Sequence, residues 1–114
     1  MYYMIGYERC STCIKAMKHL KSKNIEYTFF DVKKNPPSKE LLLGLIKRHE
    51  KVDAFWNTSG KVYRELDIKT KKQTMTNDEI ADLLASEAML IKRPIFYNDT
   101  ILIIGYKKEA YDKL

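Results

Sequence analysis

The sequence lacks long hydrophobic runs and contains few cysteines, glycines and prolines. It has two Cys, four Gly and three Pro in 114 residues, with no internal repeat and no low-complexity segment. No uncharged stretch approaches the roughly 20 apolar residues that cross a bilayer, so we expect no membrane association. The N-terminal sequence MYYMIGYERC has no basic region ahead of its apolar part, which argues against a secretory signal. We therefore expect a cytoplasmic protein, in which a close cysteine pair is more often catalytic or metal-binding than structural.

The composition indicates one folded domain without a nucleic-acid-binding surface. With 45% hydrophobic residues the chain can build one packed core, and we expect a single domain over residues 1–114. The 21 Lys and Arg exceed the 15 Asp and Glu, which gives a formal charge of +6. Because the lysines are scattered among acidic residues, they indicate a solvated face and no direct nucleic-acid binding. The excess of positive charge favours a small anion or an acidic partner.

The N-terminal part of the chain predicts a β-α-β unit. The segments MYYMIGY and IEYTFFDV are rich in β-branched and aromatic residues and are typical of strands. Between them, Ser11 and Thr12 can open a helix. The apolar side chains of this helix recur at helical spacing, at Cys13, Ala16, Met17 and Leu20. Because a right-handed crossover would join the two strands, we expect them to be parallel, with the sequence CSTC between strand and helix.

The rest of the chain predicts a helical middle, two strands and a last helix. The segment SKELLLGLIKRHE is typical of a helix with Ser38 as its N-cap. The segment TNDEIADLLASEAML is typical of a second helix, capped by Thr76 or Asn77. Between these helices lie a turn at NTSG and the polar segment DIKTKKQ, which we expect to be a loop. IKRPIFYN and DTILIIGY are typical of strands, and KKEAYDKL is typical of a helix. This order predicts an α/β protein with a thioredoxin-like fold, whose four-stranded mixed sheet carries a helical insertion at about residues 38–90.

The cysteine pair is the strongest functional candidate. A thiolate at a helix N-terminus faces the positive end of the helix dipole and unpaired backbone N–H groups, which lower its pKa. Cys10 would then be an exposed nucleophile. Cys13, one helical turn later, would be the resolving cysteine that attacks a disulfide or adduct formed on Cys10. Two ordinary buried thiols are the alternative interpretation.

A zinc site is a third interpretation, and the histidines argue against it. Such a site would need Cys10, Cys13 and two further ligands. The two histidines, His19 and His49, are far apart in the sequence, whereas paired zinc-binding histidines usually stand a few residues apart. We expect both histidines to be solvated and no metal to be bound.

A second candidate segment is KRPIF at residues 92–96. A proline at the first residue of a strand removes no ladder hydrogen bond. X-Pro bonds are the ones with an appreciable cis population, although the trans form is far more frequent, so Pro94 alone predicts a trans bond. A thioredoxin-type sheet would place this proline beside the CxxC pair.

Three segments of the chain resemble the arsenate reductase (ArsC)/Spx/MgsR family of thioredoxin-like proteins. They are CSTCIKA, NTSGKVYREL and LIKRPIFYNDTILIIGYKKE, in the order and spacing of the family. The resemblance implies that Cys10 attacks an oxyanion or a disulfide and that Arg93, beside a cis Pro94, holds the negative charge of the bound group. Arginine suits this role because its fixed charge and forked donors match an oxyanion. Ser11 and Thr12, with the backbone N–H groups of residues 11–13, would add an anion-binding nest.

The chain also departs from the family in ways that affect its expected activity. Arsenate reductases of the glutaredoxin-linked branch have one active-site cysteine and additional arginines, where this sequence has Asn57 and, in GYKKE, Tyr106, Lys107 and Lys108. The second cysteine favours the two-cysteine, arsenate-reductase-like branch. We therefore expect a thiol-disulfide oxidoreductase that reduces arsenate, a related oxyanion or a disulfide. It would need no bound cofactor, act as a monomer, and depend on an external reductant such as glutathione with glutaredoxin, or thioredoxin.

A redox-sensing regulator is the alternative function. The resemblance to Spx implies a protein that binds the C-terminal domain of the RNA polymerase α subunit and uses the CxxC pair as a switch. Spx-type proteins usually carry a basic extension after the segment that GYKKE matches, and this sequence stops at Leu114. The oxidoreductase is therefore the preferred expectation.

Overall fold

Four strands form one mixed sheet in the spatial order β2-β1-β3-β4. The computed structural model describes residues 1–114, and its strands are β1 (Tyr2–Gly6), β2 (Tyr27–Asp31), β3 (Ile95–Tyr97) and β4 (Leu102–Ile104). The central strand β1 is parallel to β2 and antiparallel to β3, and β3 is antiparallel to β4. The parallel pair requires a crossover, which the intervening helix supplies. The predicted α/β fold with a four-stranded mixed sheet is confirmed.

Six α-helices accompany the sheet. They are α1 (Ser11–Ser22), α2 (Lys39–Arg48), α3 (Lys61–Glu65), α4 (Ile68–Lys71), α5 (Asn77–Ser86) and α6 (Lys108–Asp112). Even α1, with its 12 residues, is too short to span a bilayer, and no helix combines the required length with an apolar surface.

The segment DIKTKKQ is helical, so its prediction as a loop was wrong. It forms α4 and a following 3-10 turn over Lys72–Thr74. Asp67 precedes α4 in the left-handed region with φ 52°, and its carboxylate accepts a hydrogen bond of 3.2 Å from the Thr70 hydroxyl. Ile68 is fully buried and anchors the turn. One buried isoleucine among polar residues leaves no periodic pattern, which is why the sequence did not reveal this helix.

The chain contacts divide it into two compact units, and the first contains the whole sheet. This unit comprises Met1–Asn35 and Arg93–Leu114. Helix α1 buries one stripe of side chains at helical spacing, namely Cys13, Ala16 and Leu20. The core of the unit joins residues from the sheet, α1 and α6, and consists of Met4, Ala16, Leu20, Phe96 and Tyr111.

The second unit, Pro36–Lys92, contains no strand of the sheet. Its helices α2 and α5 pack against each other, and both begin where the capping residues predict. The Ser38 hydroxyl accepts a 3.1 Å hydrogen bond from the Leu41 N–H, and Thr76 and Glu79 form a reciprocal capping box. This unit falls where a helical insertion was predicted, whereas a single domain over residues 1–114 stays a prediction.

Candidate active site

The loop after β1 delivers Cys10 to the start of α1. The Cys10 N–H donates to the Tyr7 carbonyl at 3.0 Å, and the Cys10 carbonyl accepts from the Ile14 N–H at 3.0 Å, the first bond of the helix. Cys10 therefore occupies the N-cap position, with an extended backbone. Its side chain is half-buried, Cys13 one turn later is 0% exposed, and both thiols are free. One thiol is thus open to a reactant while its neighbour is shielded.

The surroundings of the two thiols separate their acidities. Burial alone would raise the pKa of Cys10, but the Cys13 thiol, the Cys13 backbone amide and the Arg93 guanidinium together lower it below the ordinary thiol value. Burial, and then the adjacent Cys10 sulfur, raise the pKa of Cys13 to about 12. Cys10 is therefore the thiol of the pair that ionises more readily, and Cys13 is the protonated thiol that stabilises the Cys10 thiolate.

Arg93 reaches Cys10 because of the register between β1 and β3. Ile95 pairs with Ile5, so residue 93 lies beside the loop that leaves the end of β1. The Arg93–Pro94 peptide bond is cis, and Pro94 is buried. Burial raises the pKa of Cys10, whereas hydrogen bonds from the thiol and the backbone amide of Cys13 lower it. The guanidinium of Arg93 lowers this pKa further, through a hydrogen bond to the sulfur and through its positive charge. The arginine predicted to hold a negative charge is thus within reach of the nucleophile.

Ser11 and Thr12 are the first two residues of α1. Ser11 is exposed and Thr12 is half-buried, and the first turn contains no acidic residue. The N–H groups at the start of a helix have no carbonyl partner within the helix, and the dipole favours negative charge there. These two residues are therefore placed where an anion at Cys10 would find donors.

Gly6 and Asp31 contribute to the site, although sequence reasoning did not single them out. A Cβ atom on Gly6 would lie 3.2 Å from the Cys13 Sγ, so glycine gives the buried thiol its space. A glycine that ends a strand ahead of a CxxC pair is a signal of such close approach. The Asp31 carboxylate, 6% exposed, accepts backbone hydrogen bonds from Glu8 at 3.2 Å, Lys33 at 2.8 Å and Lys34 at 3.2 Å. It fixes the loop before Cys10 to the loop after β2.

His19 is not solvated as predicted. Its side chain is 11% exposed, with Nδ1 2.7 Å from the Tyr106 hydroxyl and Nε2 2.8 Å from Oδ1 of Asp112. Lys108 also pairs with Asp112, at 2.9 Å. Tyr106 of the GYKKE segment and Asp112 of α6 thus contact the C-terminal half of α1, and not the N-terminal end where Cys10 lies. The prediction failed because the partners of His19 come from the far end of the sequence.

His49 is half-buried and packs edge-on against Phe55, with the ring centres 5.8 Å apart. Its Nδ1 accepts a 3.1 Å hydrogen bond from the Lys51 N–H. Within residues 1–114, no three His, Cys, Asp or Glu side chains converge in a way that could hold a metal ion. The two thiols of the CSTC segment therefore have no further metal ligands beside them.

The fold and the site define a thioredoxin-like protein, with a CxxC pair at a helix start next to a cis-proline. The chain belongs to the ArsC family, whose model matches residues 5–114. The family indicated by the three sequence segments is confirmed.

Relatives of this chain include the YusI protein and two regulatory proteins. It is 39% identical to the YusI protein of Bacillus subtilis over 94% of this chain and 92% of YusI. It is 28% identical to the regulatory protein MgsR of the same species, over 96% of this chain and 86% of MgsR. The global transcriptional regulator Spx 1 of Oceanobacillus iheyensis is 27% identical, over 88% of this chain and 76% of Spx 1.

Solved structures of the family superpose over nearly the whole chain. A possible arsenate reductase from Streptococcus mutans is 38% identical and superposes with a TM-score of 0.89 over 98% of both chains. An ArsC family related protein from Bacteroides fragilis is 39% identical, with a TM-score of 0.92 over 98% of this chain and 95% of that one. These likenesses support the assignment of the fold to arsenate-reductase-like, thioredoxin-like proteins.

Proposed function

We propose that this protein is a cytoplasmic, monomeric thiol-disulfide oxidoreductase of the arsenate-reductase-like branch, with Cys10 as nucleophile and Cys13 as resolving cysteine. The observation that carries the proposal is the pair of adjacent free thiols, one accessible with a lowered pKa and one buried with a raised pKa. Thiolate is the reactive form of cysteine, so attack is confined to Cys10 at neutral pH.

With a disulfide substrate the reaction has two exchange steps. The Cys10 thiolate attacks one sulfur, a mixed disulfide forms, and the other sulfur leaves as a thiolate. Cys13 then loses its proton to a leaving thiolate and attacks the Cys10 Sγ. This step forms the Cys10–Cys13 disulfide and releases the second thiol, so the substrate gains two electrons that the protein loses. Glutathione with glutaredoxin, or thioredoxin, would return the pair to the dithiol.

With arsenate the same pair would act on arsenic in place of sulfur. Cys10 would displace a hydroxide from As(V) to form an S–As bond. Attack of Cys13 on the Cys10 Sγ would then form the disulfide and release As(III) with the bonding electron pair. Arg93, Ser11 and Thr12 would hold the negative charge of the bound group in either reaction, because fixed donors stabilise charge that develops during attack.

Thiol titration after mild peroxide treatment tests the redox couple. The wild type should lose both titratable thiols together, and reduction by thioredoxin or by glutathione with glutaredoxin should restore them. Cys10→Ser and Cys13→Ser should each be unable to form the intramolecular disulfide. If the folded wild type keeps two free thiols, the redox couple is wrong.

Arsenate reduction is tested separately, in assays coupled to each of the two reductants. Turnover in one assay would identify both the substrate and the electron donor. Absence of turnover in both assays, with an intact disulfide cycle, would restrict the activity to disulfides.

A redox-sensing regulator is the second candidate, favoured by the similarity to MgsR and Spx 1. In that case the surface around the CxxC pair would bind the C-terminal domain of the RNA polymerase α subunit, and oxidation would change the affinity. A pull-down with that domain, using the reduced and the oxidised protein, separates the two functions. Redox-dependent capture would favour the regulator, and its absence alongside disulfide turnover would favour the enzyme.

A further inference from the structure

The ring of Tyr7 lies beside two positive charges, those of Arg93 and Lys33. Its ring centre is 5.8 Å from the Arg93 Cζ and 5.3 Å from the Lys33 Nζ, so both cations stand within cation–π distance of the same ring. The Tyr7 carbonyl accepts the Cys10 N–H at 3.0 Å, which holds the ring on the loop that enters the site. Lys33 and Arg93 thus contact the same ring, on a residue whose carbonyl is bonded to the backbone of Cys10.

The position of Lys33 is fixed by the backbone of its own loop. The Lys33 N–H donates to the buried Asp31 carboxylate at 2.8 Å, and the same carboxylate accepts from the Glu8 N–H at 3.2 Å. The Asn35 N–H closes the turn onto the Asp31 carbonyl at 2.7 Å. Asp31 thus ties the loop that carries Lys33 to the loop that carries Tyr7.

The charge of Lys33 is not neutralised by an acidic side chain. Its neighbour Lys34 forms an ion pair with Glu8 at 3.3 Å, whereas Lys33 is exposed and forms no salt bridge in the structure. A lysine that contacts an aromatic ring and has no acidic partner keeps its positive potential available to a ligand. Lys33 therefore has a positive charge that can attract an anion, whereas the charge of Lys34 is paired with that of Glu8.

We propose that Lys33 is a specificity-determining residue of the cysteine site, and that with Arg93 it selects substrates that carry a negative charge beside the atom attacked by Cys10. Tyr7 is the positioning residue that keeps the two cations together. The inference rests on the proposed function only in taking Cys10 as the reacting thiolate. The substrate class is an anionic one, either an inorganic oxyanion or a disulfide that bears carboxylates.

A matched pair of alkylating reagents measures this selectivity without any redox turnover. Iodoacetate and iodoacetamide both react by displacement of iodide and formation of an S–C bond to Cys10, and they differ in the negative charge of the carboxylate. Because both react with the same thiolate, a change in the pKa of Cys10 alters both rates equally and cancels in their ratio. The ratio of the two rate constants therefore reports the local field, and mass spectrometry verifies that only Cys10 is labelled.

The comparison uses Lys33→Gln and, as a matched control, Lys34→Gln. We expect Lys33→Gln to lower the iodoacetate to iodoacetamide ratio by about threefold to tenfold, as the loss of one nearby charge near a protein surface predicts. Added salt should weaken the wild-type preference, because it screens exposed charges. Lys34→Gln should leave the ratio within about twofold. An unchanged ratio in Lys33→Gln, or an equal drop in Lys34→Gln, would overturn the proposal.

Protection experiments separate the two sources of the anion. Arsenate or phosphate would slow the alkylation of Cys10 by iodoacetamide if the site takes an inorganic oxyanion. S-methylglutathione, which carries carboxylates and cannot react, would slow it if the site takes a carboxylate-bearing thiol compound. In either case the protection should be weaker in Lys33→Gln, and protection that is equal in both proteins would contradict the role of Lys33. Failure of the Cys10–Cys13 disulfide to form would overturn the proposed function and leave these alkylation results unaffected.

Discussion

The backbone of Gly6 passes so close to Cys13 that a Cβ atom added to Gly6 would lie 3.2 Å from the Cys13 Sγ and 3.0 Å from Cε1 of Phe29. Both distances are shorter than an ordinary van der Waals contact, and the fully buried Cys13 has little room to move. The end of β1 is thus shaped to admit the shielded thiol of the pair.

Gly6→Ala should therefore lower the free energy of unfolding by about 1–3 kcal/mol, which is typical of overpacking a filled core. Urea denaturation at neutral pH measures it. Gly44 in α2 is the matched control, because nothing lies within 4 Å of a Cβ added there. Gly44→Ala should raise the stability by about 0.5–1 kcal/mol, since glycine is unfavourable inside a helix. Equal effects at the two glycines would contradict the packing argument.

Arg93→Met should raise the pKa of Cys10 toward the ordinary thiol value, because it removes a charge and a hydrogen bond that favour the thiolate. The rate of alkylation by iodoacetamide, followed against pH, should then have its midpoint at a higher pH than in the wild type. Cys13 should stay unlabelled at neutral pH, since its pKa is about 12. The control is Arg9→Met, which removes an exposed guanidinium next to Cys10 and should move the midpoint less. If the midpoint shifts more in Arg9→Met than in Arg93→Met, the overall positive charge of the protein, and not the contact with Arg93, lowers the pKa of Cys10.

His19→Leu should lower the free energy of unfolding by roughly 1–2 kcal/mol, because it removes the partner of the Tyr106 hydroxyl and the contacts of α1 with Tyr111 and Asp112 of α6. Thermal or urea unfolding measures the change. The exposed neighbour Lys18 provides a control on the same helix, and Lys18→Ala should stay within about 0.5 kcal/mol of the wild type. If the two variants unfold alike, the hydrogen bond between His19 and Tyr106 does not contribute to stability.

The elements with strong local signals could be predicted from the sequence. The caps at Ser38 and Thr76, the apolar stripe of α1 and the alternation of strands with breakers all act over a few residues, so their pattern is visible in the chain. The helix α4 has no such pattern, because a single buried side chain, Ile68, holds it in place. Local periodicity therefore predicts the strands and the longer helices of this fold, and it misses the short polar helix α4.

The site was predictable as far as its motif extends. The segments CSTC and KRPIF predict Cys10, Cys13 and Arg93 as site residues. The polar groups around these residues depend on the register between strands that are distant in the sequence. Tyr7 and Lys33 carry no motif, and they become neighbours only because β1 and β2 are parallel and their loops leave the same edge of the sheet. Contacts of this kind can be read only from the folded chain.

Asp31→Asn should destabilise the protein in a way that depends on pH. Burial would raise the pKa of this carboxyl, but backbone hydrogen bonds from Lys33, Glu8 and Lys34 outweigh burial and lower it below the ordinary 3.8. A group with a lowered folded pKa adds stability that is complete above its unfolded pKa and is lost as the pH falls through the folded value.

The free energy of unfolding of the wild type should thus exceed that of Asp31→Asn by about 1–3 kcal/mol at pH 7, as hydrogen bonds to a charged acceptor predict, and the difference should shrink below about pH 4. Urea unfolding across this range measures it, with Glu8→Gln as an exposed carboxylate control that should change little at any pH. A difference that stays constant down to acid would mean that the charge of Asp31 does not hold the two loops together.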